Sequence, residues 1–284
     1  MTQRIAIVTD STCDLPVEWR EKYEINVIPL TIIFGEEQLL DGVDISAQAF
    51  YDRLEAEDVH PTTSQPTPKD FTEIFQQLKN NGAEEIVCIL ISSAMSGTLA
   101  SAQQAGEGFP IPVHIHDSRN NSMGLGWQVM AAARVREVGG GVKEMIAAAE
   151  EVRDKMVFQI LLDTIVYLSK GGRIGDAVKL VDSVLQIKPI INVKSDTGTV
   201  GVGLPARSRK AGKKSLYKSY FKQLDTDKPM HITVLHNNVP EEAQALAEKI
   251  REEFHPDELI IQIVSPILGV HTGPRALALC GYSE

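Results

Sequence analysis

A cluster of small hydroxyl-bearing residues follows a short apolar run in the first half of the chain. After Ile89–Ile91 come four such residues, with Gly97 between the last two: Ser92, Ser93, Ser96 and Thr98. The next segment has helical spacing, and the free N–H groups of a helix N-terminus, together with hydroxyl donors, can bind a carboxylate or a phosphate. Gly97 would let the backbone approach such a ligand. An equally weighted alternative is that Ser96 or Thr98 only caps its own helix.

Three further tracts contain residues that could bind a ligand, although each has an ordinary structural explanation. Thr62–Pro66 is a second hydroxyl cluster, which we expect in a loop before a helix rather than in a strand. Tyr167–Gly175 is typical of a helix end closed by glycines, where Arg173 would complement the helix dipole. Gly269–Pro274 puts His271 among turn residues after an apolar strand, where a histidine is usually solvated.

Repeated βα units would position these residues in the first half of the chain. Ile5–Tyr23, Glu85–Ala105 and Val113–Val135 each begin with a short apolar run, continue through a polar turn and end in a helical pattern. Such units predict a mostly parallel sheet, and ligands gather at the carboxyl ends of its strands. Between the first two units, residues 34–68 are polar and rich in turn residues, which predicts a loop with a short helix around Phe50–Leu54.

The second half has a different pattern. A charged helix ends near Met156, just before a new apolar run, so we expect an α/β domain over residues 1–156 and an α+β domain over residues 157–284. The turn Asp196–Gly198 favours an antiparallel strand pair. The predicted elements of this half are strands over 157–162, 188–194, 199–208, 231–236, 258–266 and 277–280, and helices over 177–185, 210–224 and 241–254.

Composition narrows the functional classes. The chain has 284 residues and carries 28 basic against 38 acidic residues, so its net charge of −10 argues against nucleic acid as a partner. Its three cysteines are far apart, which favours neither a disulfide framework nor a zinc site. We find no signal-peptide core and no apolar run long enough to span a membrane, and therefore expect a cytoplasmic protein that is not integral to a membrane.

The four polar tracts and the start of the chain together resemble the DegV family. The matching motifs occur in the family order and extend from one end of the chain to the other: DSTCDL at Asp10–Leu15, TSQP at Thr63–Pro66, SSAMSGT at Ser92–Thr98, YLSKGGRIG at Tyr167–Gly175 and HTGP at His271–Pro274. One position departs from the family pattern, because Arg275 follows Pro274 where a glycine is common. Among the residues of this motif, His271 is the one whose assignment to the head-group network is most weakened by this departure.

The resemblance implies a protein that holds a long-chain fatty acid, such as palmitate, stearate or oleate, in an apolar tunnel with its carboxylate between the two domains. It implies that Thr63, Ser64, Ser96 and Gly97 bind the carboxylate, and that a polar network near the head group or the partner surface consists of Arg173, Arg207 and His271. It further implies the role of acyl-presenting subunit of a two-component fatty acid kinase, whose separate subunit binds ATP. In that role the chain itself needs no catalytic residue, cofactor or metal ion.

Other functional classes remain as alternatives. A stand-alone lipid carrier needs no partner. A serine hydrolase could use Ser96, His271 and Asp10, although the chain lacks the G-x-S-x-G elbow. A nucleotide-binding enzyme is disfavoured because the chain has no G-x-x-x-x-G-K-[ST] motif, and Gly124–Gly126 lacks the third glycine of a dinucleotide fingerprint.

Two clusters of charged or metal-binding side chains have weaker functional interpretations. His114 and His116 would share one face of a strand next to Asp117, and a polar strand edge explains them better than a metal site does. The basic run over residues 207–214 is usually a solvated face. In an acidic protein it could also receive an acidic or phosphate-bearing partner.

Overall fold

The computed structural model describes residues 4–57, 59–180, 187–203 and 205–284. In chain order its strands are β1 (Ile5–Asp10), β2 (Ile25–Ile28), β3 (Thr31–Phe34), β4 (Glu37–Leu40), β5 (Thr62–Ser64), β6 (Glu85–Leu90), β7 (Val113–Asp117), β8 (Val157–Leu161), β9 (Ile190–Lys194), β10 (Thr199–Val202), β11 (Met230–His236), β12 (Glu258–Ile263) and β13 (Leu277–Ser283).

The helices are α1 (Val17–Lys22), α2 (Ala47–Ala56), α3 (Pro68–Asn80), α4 (Thr98–Gly106), α5 (Ser122–Glu137), α6 (Val142–Lys155), α7 (Val166–Lys170), α8 (Arg209–Phe221), α9 (Pro240–Phe254) and α10 (Pro266–Thr272). Two short segments are 3-10 helices, Ser11–Cys13 and Gly175–Leu180.

The predicted parallel sheet is confirmed. It has four strands in the order β2-β1-β6-β7, and every neighbouring pair is parallel. Its central strands are buried runs of mostly β-branched residues, as expected for a sheet that is covered on both faces. Because β1 and β6 are neighbours with the same direction, the segments that follow Asp10 and Leu90 leave the sheet at the same edge.

The second half forms a six-stranded mixed sheet in the order β10-β9-β8-β13-β11-β12. All neighbours are antiparallel except β11 and β12. The predicted antiparallel pair is confirmed, since Lys194 lies opposite Thr199 across the turn. The parallel sheet and the mixed sheet thus come from different halves of the chain, while the proposed division into domains at residue 156 stays a prediction.

Helix α5 joins the cores of the two sheets. It is buried over almost its whole length, and its core side chains cluster with residues from the parallel sheet and from the mixed sheet. Trp127, which is fully buried, donates a hydrogen bond from Nε1 to Thr233 Oγ1 at 3.1 Å. A helix that carries apolar side chains on several faces is stable inside a core, which explains its place between the sheets.

The prediction of a loop over residues 34–68 is wrong in part. This region contributes β4, the ten-residue helix α2 and β5, and the two strands flank β3 in a three-stranded antiparallel sheet. Thr63 therefore lies in a strand, opposite Ile32, and not in a loop. Local sequence does not show this, because β5 is three polar residues long and pairs with a strand about thirty positions earlier.

Two strands of the second half also end earlier than predicted. The strand predicted over 258–266 ends at Ile263, and α10 begins at Pro266, so His271 lies in the last turn of a helix and not in a turn after a strand. Proline suits a first helical position, because it lacks only an N–H that would have no partner there. The strand predicted over 199–208 ends at Val202, and Arg209 begins α8, so Arg207 and Arg209 do not share a strand face.

The helix predicted over 177–185 is described only in part. Residues 175–180 form a 3-10 helix, and residues 181–186 lie outside the described residues. The helices predicted over 210–224 and 241–254 are confirmed as α8 and α9.

Candidate functional site

A cavity of about 470 Å³ lies where the three sheets and α10 meet. Its apolar wall consists of Leu30, Ile91, Met95, Ile160, Leu168, Ile191, Val193, Val200, Ile267 and Leu268. Its polar groups come from Thr12, Thr63, Ser64, Gln65, Thr67, Ser96, Ser101, Asn121, Arg173, His271 and Thr272. The volume falls within the roughly 300–1,000 Å³ typical of small-molecule sites. A ligand with an apolar chain and one polar end matches a lining of this composition.

Thr63 and His271 meet at the polar side of the cavity. Thr63 Oγ1 is 3.1 Å from His271 Nε2, a contact that joins β5 to the last turn of α10. The other ring nitrogen, Nδ1, is buried and has no hydrogen-bond partner among the described residues. The ring packs against Gly171, where a Cβ atom would lie only 2.2 Å from Nδ1. The sequence folds this way because Gly171 has no side chain that would displace the imidazole.

His271 is electrically neutral at neutral pH. Burial lowers its pKa to about 4, and the positive charge of Arg173 acts in the same direction. A neutral imidazole can donate one hydrogen bond to a carboxylate without forming an ion pair.

Ser96 and Gly97 are placed by the start of α4. Ser96 Oγ is 2.8 Å from Thr98 Oγ1 and accepts a hydrogen bond from the backbone N–H of Thr98 at 3.3 Å, so Ser96 does contact its own helix. The same hydroxyl lines the cavity, and the two interpretations given by the sequence coexist. Free N–H groups in the first turn of α4 add partial positive charge at this side of the cavity.

Gln65 is a lining residue that the sequence interpretation did not single out. Its Nε2 donates to Ser101 Oγ at 3.2 Å, which ties the TSQP tract to α4. Its amide also lies against Gly97, where a Cβ atom would be 2.3 Å from Oε1. Gly97 is therefore needed for the close approach of Gln65. Two sequence features could have drawn attention to this pair, since Gln65 belongs to the TSQP motif and Ser101 lies one helical turn after Thr98.

Arg173 lies at the mouth of the cavity. Its Nε donates to the carbonyl oxygen of Met95 at 3.2 Å, and its Nη1 donates to that of Gly171 at 2.9 Å. Its side chain is exposed and also lines an adjoining surface depression of about 480 Å³, together with Ser96 and Gly97. Gly97 lines that depression and not the cavity itself.

The remaining residues expected at the site differ in whether they line the cavity. Ser64 lines the cavity beside Thr63. Arg207 is exposed just before α8 and is not among the described residues that line the cavity. The structure therefore does not bring it to the other residues expected at the head-group site. Arg275 adopts a left-handed backbone with φ 63°, and its exposed side chain lies 4.0 Å from Asp163. Arg275 therefore does not point its charge at the cavity.

Within the described residues, the side chains suggested for a serine hydrolase and for a metal site do not make the contacts that these two kinds of site need. His271 Nε2 contacts Thr63, and Asp10 accepts hydrogen bonds from Thr12 and from the backbone N–H of Ile91 at 2.7 Å, so no Ser96–His271–Asp10 relay is assembled within the described chain. His114 Nε2 lies 2.6 Å from Glu85 Oε2, at a polar strand edge.

Metal and membrane features were also sought among the described residues. These contain no group of three or more His, Cys, Asp or Glu side chains that could hold a metal ion. They also contain no helix with the length and apolar character needed to cross a bilayer.

Part of the predicted basic run is paired. Both Arg209 and Lys213 form ion pairs with Glu242, at 2.9 and 3.0 Å. Lys210 and Lys214 are exposed on α8, one helical turn apart.

Comparisons with known proteins agree on one family. The family model described as "Uncharacterised protein, DegV family" matches residues 4–284. A DegV domain-containing protein of Clostridium acetobutylicum is 34% identical over 285 residues, covering 99% of this chain and 98% of that protein. A DegV domain-containing protein of Streptomyces coelicolor is 33% identical, with 98% of both chains covered.

Solved structures agree with the fold. A DegV family protein from Thermus thermophilus, described by its fatty acid binding, superposes with a TM-score of 0.92 at 27% identity, covering 99% of this chain and 100% of that one. DegV from Bacillus subtilis, described as a fatty acid binding protein, gives a TM-score of 0.91 at 27% identity with the same coverage. A stearic acid-binding protein from Eubacterium ventriosum gives 0.89 at 25% identity, with 98% of both chains covered.

Proposed function

The chain belongs to the DegV family, and from this premise we propose that it binds a long-chain fatty acid in the 470 Å³ cavity and presents the carboxylate to a separate ATP-binding kinase subunit. The observation that carries the proposal is the division of the cavity lining into an apolar wall and a cluster of hydroxyls, His271 and Arg173. The fatty acid would lie between residues 1–156 and 157–284, since both contribute lining side chains. We place the protein in the cytoplasm.

Apolar contact supplies most of the affinity in this account. A fatty acid of about 16 carbons gains up to about 12 kcal/mol from the burial of its methylenes at about 0.8 kcal/mol each, before the entropy of binding is subtracted. The side chains of Ile160, Ile191 and Val200 offer such contacts from the mixed sheet, and Leu268 offers them from α10. The head group therefore needs to contribute little beyond its own desolvation.

The carboxylate is held by neutral donors in this account. The hydroxyls of Thr63, Ser64 and Ser96 donate to its oxygens within the cavity, and the backbone N–H of Gly97 donates from the adjoining depression. Neutral His271 donates its one N–H from Nε2 to Thr63 Oγ1, which leaves the Thr63 hydroxyl hydrogen for the carboxylate. Neutral donors satisfy a carboxylate without a tight buried ion pair. A carboxylate held in this way remains a usable nucleophile at the mouth, where Arg173 is exposed.

The proposed transfer of phosphate to the fatty acid depends on the residues around its carboxylate. Phosphoryl transfer needs a phosphate cradle and magnesium ligands, and the sequence contains no G-x-x-x-x-G-K-[ST] motif that would build such a cradle here. Arg173 would face the incoming phosphate, while Arg207 would belong to the docking surface together with exposed Lys210 and Lys214. A carboxylate needs no deprotonation at neutral pH, so none of these residues acts as a base.

The kinase role is tested by incubating lipid-loaded protein with ATP and magnesium, alone and together with a fatty acid kinase ATP-binding subunit, and measuring acyl-phosphate. We expect acyl-phosphate only when both proteins are present. Turnover by this chain alone would contradict the division of labour. Lipid-loaded protein that gives no product with any such subunit would reduce the function to that of a stand-alone carrier.

A further inference from the structure

A second pocket contains a buried carboxylate that has no hydrogen-bond partner. The pocket has a volume of about 470 Å³ and shares no lining residue with the fatty acid cavity among the residues described. Asp41 lines it and is only 3% exposed. Neither Oδ1 nor Oδ2 of Asp41 forms a hydrogen bond of full geometry within the described part of the chain, and the Ser11 hydroxyl and the Ile267 N–H approach this carboxyl group without reaching that geometry. Leaving a buried carboxylate unsatisfied is costly, and a group in this state points to a missing ligand.

Backbone hydrogen bonds hold the main chain on both sides of Asp41 in place. Its N–H donates to the carbonyl oxygen of Leu30 at 2.9 Å, and Gly42 N–H donates to that of Ile45 at 3.2 Å. Burial raises the pKa of Asp41 to about 7, although Ser11 and the N–H of Ile267 lie close enough to oppose the rise. A positive charge beside it would favour the ionised form.

The rest of the pocket adds negative charge and acceptor atoms. Asp14 is 8% exposed, and burial raises its pKa to about 6; it accepts hydrogen bonds from Ser122 Oγ at 2.5 Å and from Ser265 N–H at 3.0 Å. The buried Oγ of Ser265 has no hydrogen-bond partner of full geometry in the described structure, although it lies close enough to Asp14 to act on that residue's pKa. The exposed side chain of Glu18 lies at the rim. Buried Asp10 does not line the pocket, but its negative charge also raises the pKa values of Asp14 and Asp41.

One cation of the protein itself borders the pocket. Arg20 is half-buried, and its buried Nε has no hydrogen-bond partner within the residues described, so it is not paired through that atom with either aspartate. Cys13 also lines the pocket, but burial raises the pKa of its thiol far above neutrality, and it carries no charge. The pocket thus holds three carboxyl groups against one guanidinium.

The wall of the pocket distinguishes an organic cation from a metal ion. Apolar side chains also line the pocket, including Val17 and Val43, which are 51% and 68% exposed. The described residues provide no set of three metal-binding side chains here. A primary ammonium has three N–H donors, and the pocket offers three unpartnered oxygens: Asp41 Oδ1, Asp41 Oδ2 and Ser265 Oγ. The valines would contact an alkyl chain.

We propose that the pocket between Asp14 and Asp41 binds a small alkylammonium ion, with Asp41 accepting hydrogen bonds from its N–H groups and Val17 and Val43 contacting its carbon chain. This second site is separate from the fatty acid cavity. Its ligand class follows from the buried unpartnered oxygens, the excess of carboxyl groups and the apolar rim.

The test uses the full chain as purified and n-butylammonium chloride as the probe, and binding is measured by calorimetry and by methyl NMR. We expect saturable binding of one butylammonium per chain, with shifts at the methyl groups of Val17 and Val43. Tetramethylammonium has the same charge but no N–H donor, and should bind at least about tenfold more weakly. Asp41→Asn should weaken butylammonium binding by at least about tenfold, whereas Asp227→Asn, which removes an exposed charge elsewhere, should leave it unchanged.

Several results would overturn the proposal. These are a lack of saturable binding, equal binding of tetramethylammonium, unchanged binding by folded Asp41→Asn, and a response to calcium or magnesium chloride only. Circular dichroism reports whether the variant is folded. If Asp41→Asn does not fold, the NMR shifts of the unmodified chain decide the matter, because shifts confined to methyl groups away from Val17 and Val43 would place the probe elsewhere.

Discussion

Replacement of Thr63 by valine removes one hydroxyl at nearly constant volume. If Thr63 donates to the fatty acid carboxylate, the variant loses one hydrogen bond to a charged group, which costs about 1.5–3 kcal/mol of binding free energy. The dissociation constant should then rise by about ten- to 150-fold. The change also removes the 3.1 Å contact with His271 Nε2, so the imidazole loses its partner in β5. The loss should therefore lie toward the upper end of this range.

The matched control is Thr62→Val in the same strand. Thr62 is exposed and is not among the described residues that line the cavity, so its substitution tests the effect of valine on β5 without touching the ligand. Affinity is measured by titrating delipidated protein with oleate, and circular dichroism checks the fold. The reasoning is refuted if Thr63→Val binds oleate as tightly as the unmodified chain, or if Thr62→Val weakens binding equally.

Three further outcomes are expected. Ser96→Ala should weaken oleate binding by about tenfold or more. When it is combined with Thr63→Val, the two losses of binding free energy should be less than additive, because both hydroxyls would contact one carboxylate. Additive losses in the same titration would argue against a shared head group. Gly171→Ala should weaken oleate binding by displacing the His271 ring, which a Cβ atom would approach to 2.2 Å, whereas Gly106→Ala, whose nearest contact is 3.4 Å, should not; equal affinities of the two variants would contradict this. His271 has a pKa of about 4 in the folded chain, against 6.5 without burial, so as pH falls the unfolded chain takes up this proton before the folded chain does. The free energy of unfolding of the lipid-free protein should therefore decrease by up to about 3 kcal/mol between pH 6.5 and pH 4, relative to that of His271→Gln. Denaturant titrations across this range check it, and parallel pH profiles would show that His271 is not buried as a neutral group.

Local patterns predicted the parallel sheet and the strand pair around Asp196–Gly198, because both arise from contacts close in sequence or from runs of buried residues. They did not predict β5, since a three-residue polar strand is stabilised by pairing with β3 and not by its own propensity. The helical position of His271 was missed because Pro266 begins a short helix within what looked like a longer strand.

The candidate site was predictable mainly through its motifs. Thr63, Ser96 and His271 belong to separate tracts, and only the tertiary fold brings them to one cavity. The role of Gln65 depends on its packing against Gly97 and Ser101, which no local pattern contains. The exposed position of Arg207 depends on where β10 ends and α8 begins, and element boundaries are the least certain part of any pattern.

Native mass spectrometry of the purified protein, followed by lipid extraction under denaturing conditions, tests fatty acid binding most directly. The account predicts a folded species heavier by one fatty acid per chain, and the release of that fatty acid on denaturation. Fully folded protein that carries no lipid, and that does not bind added palmitate or oleate, would contradict it.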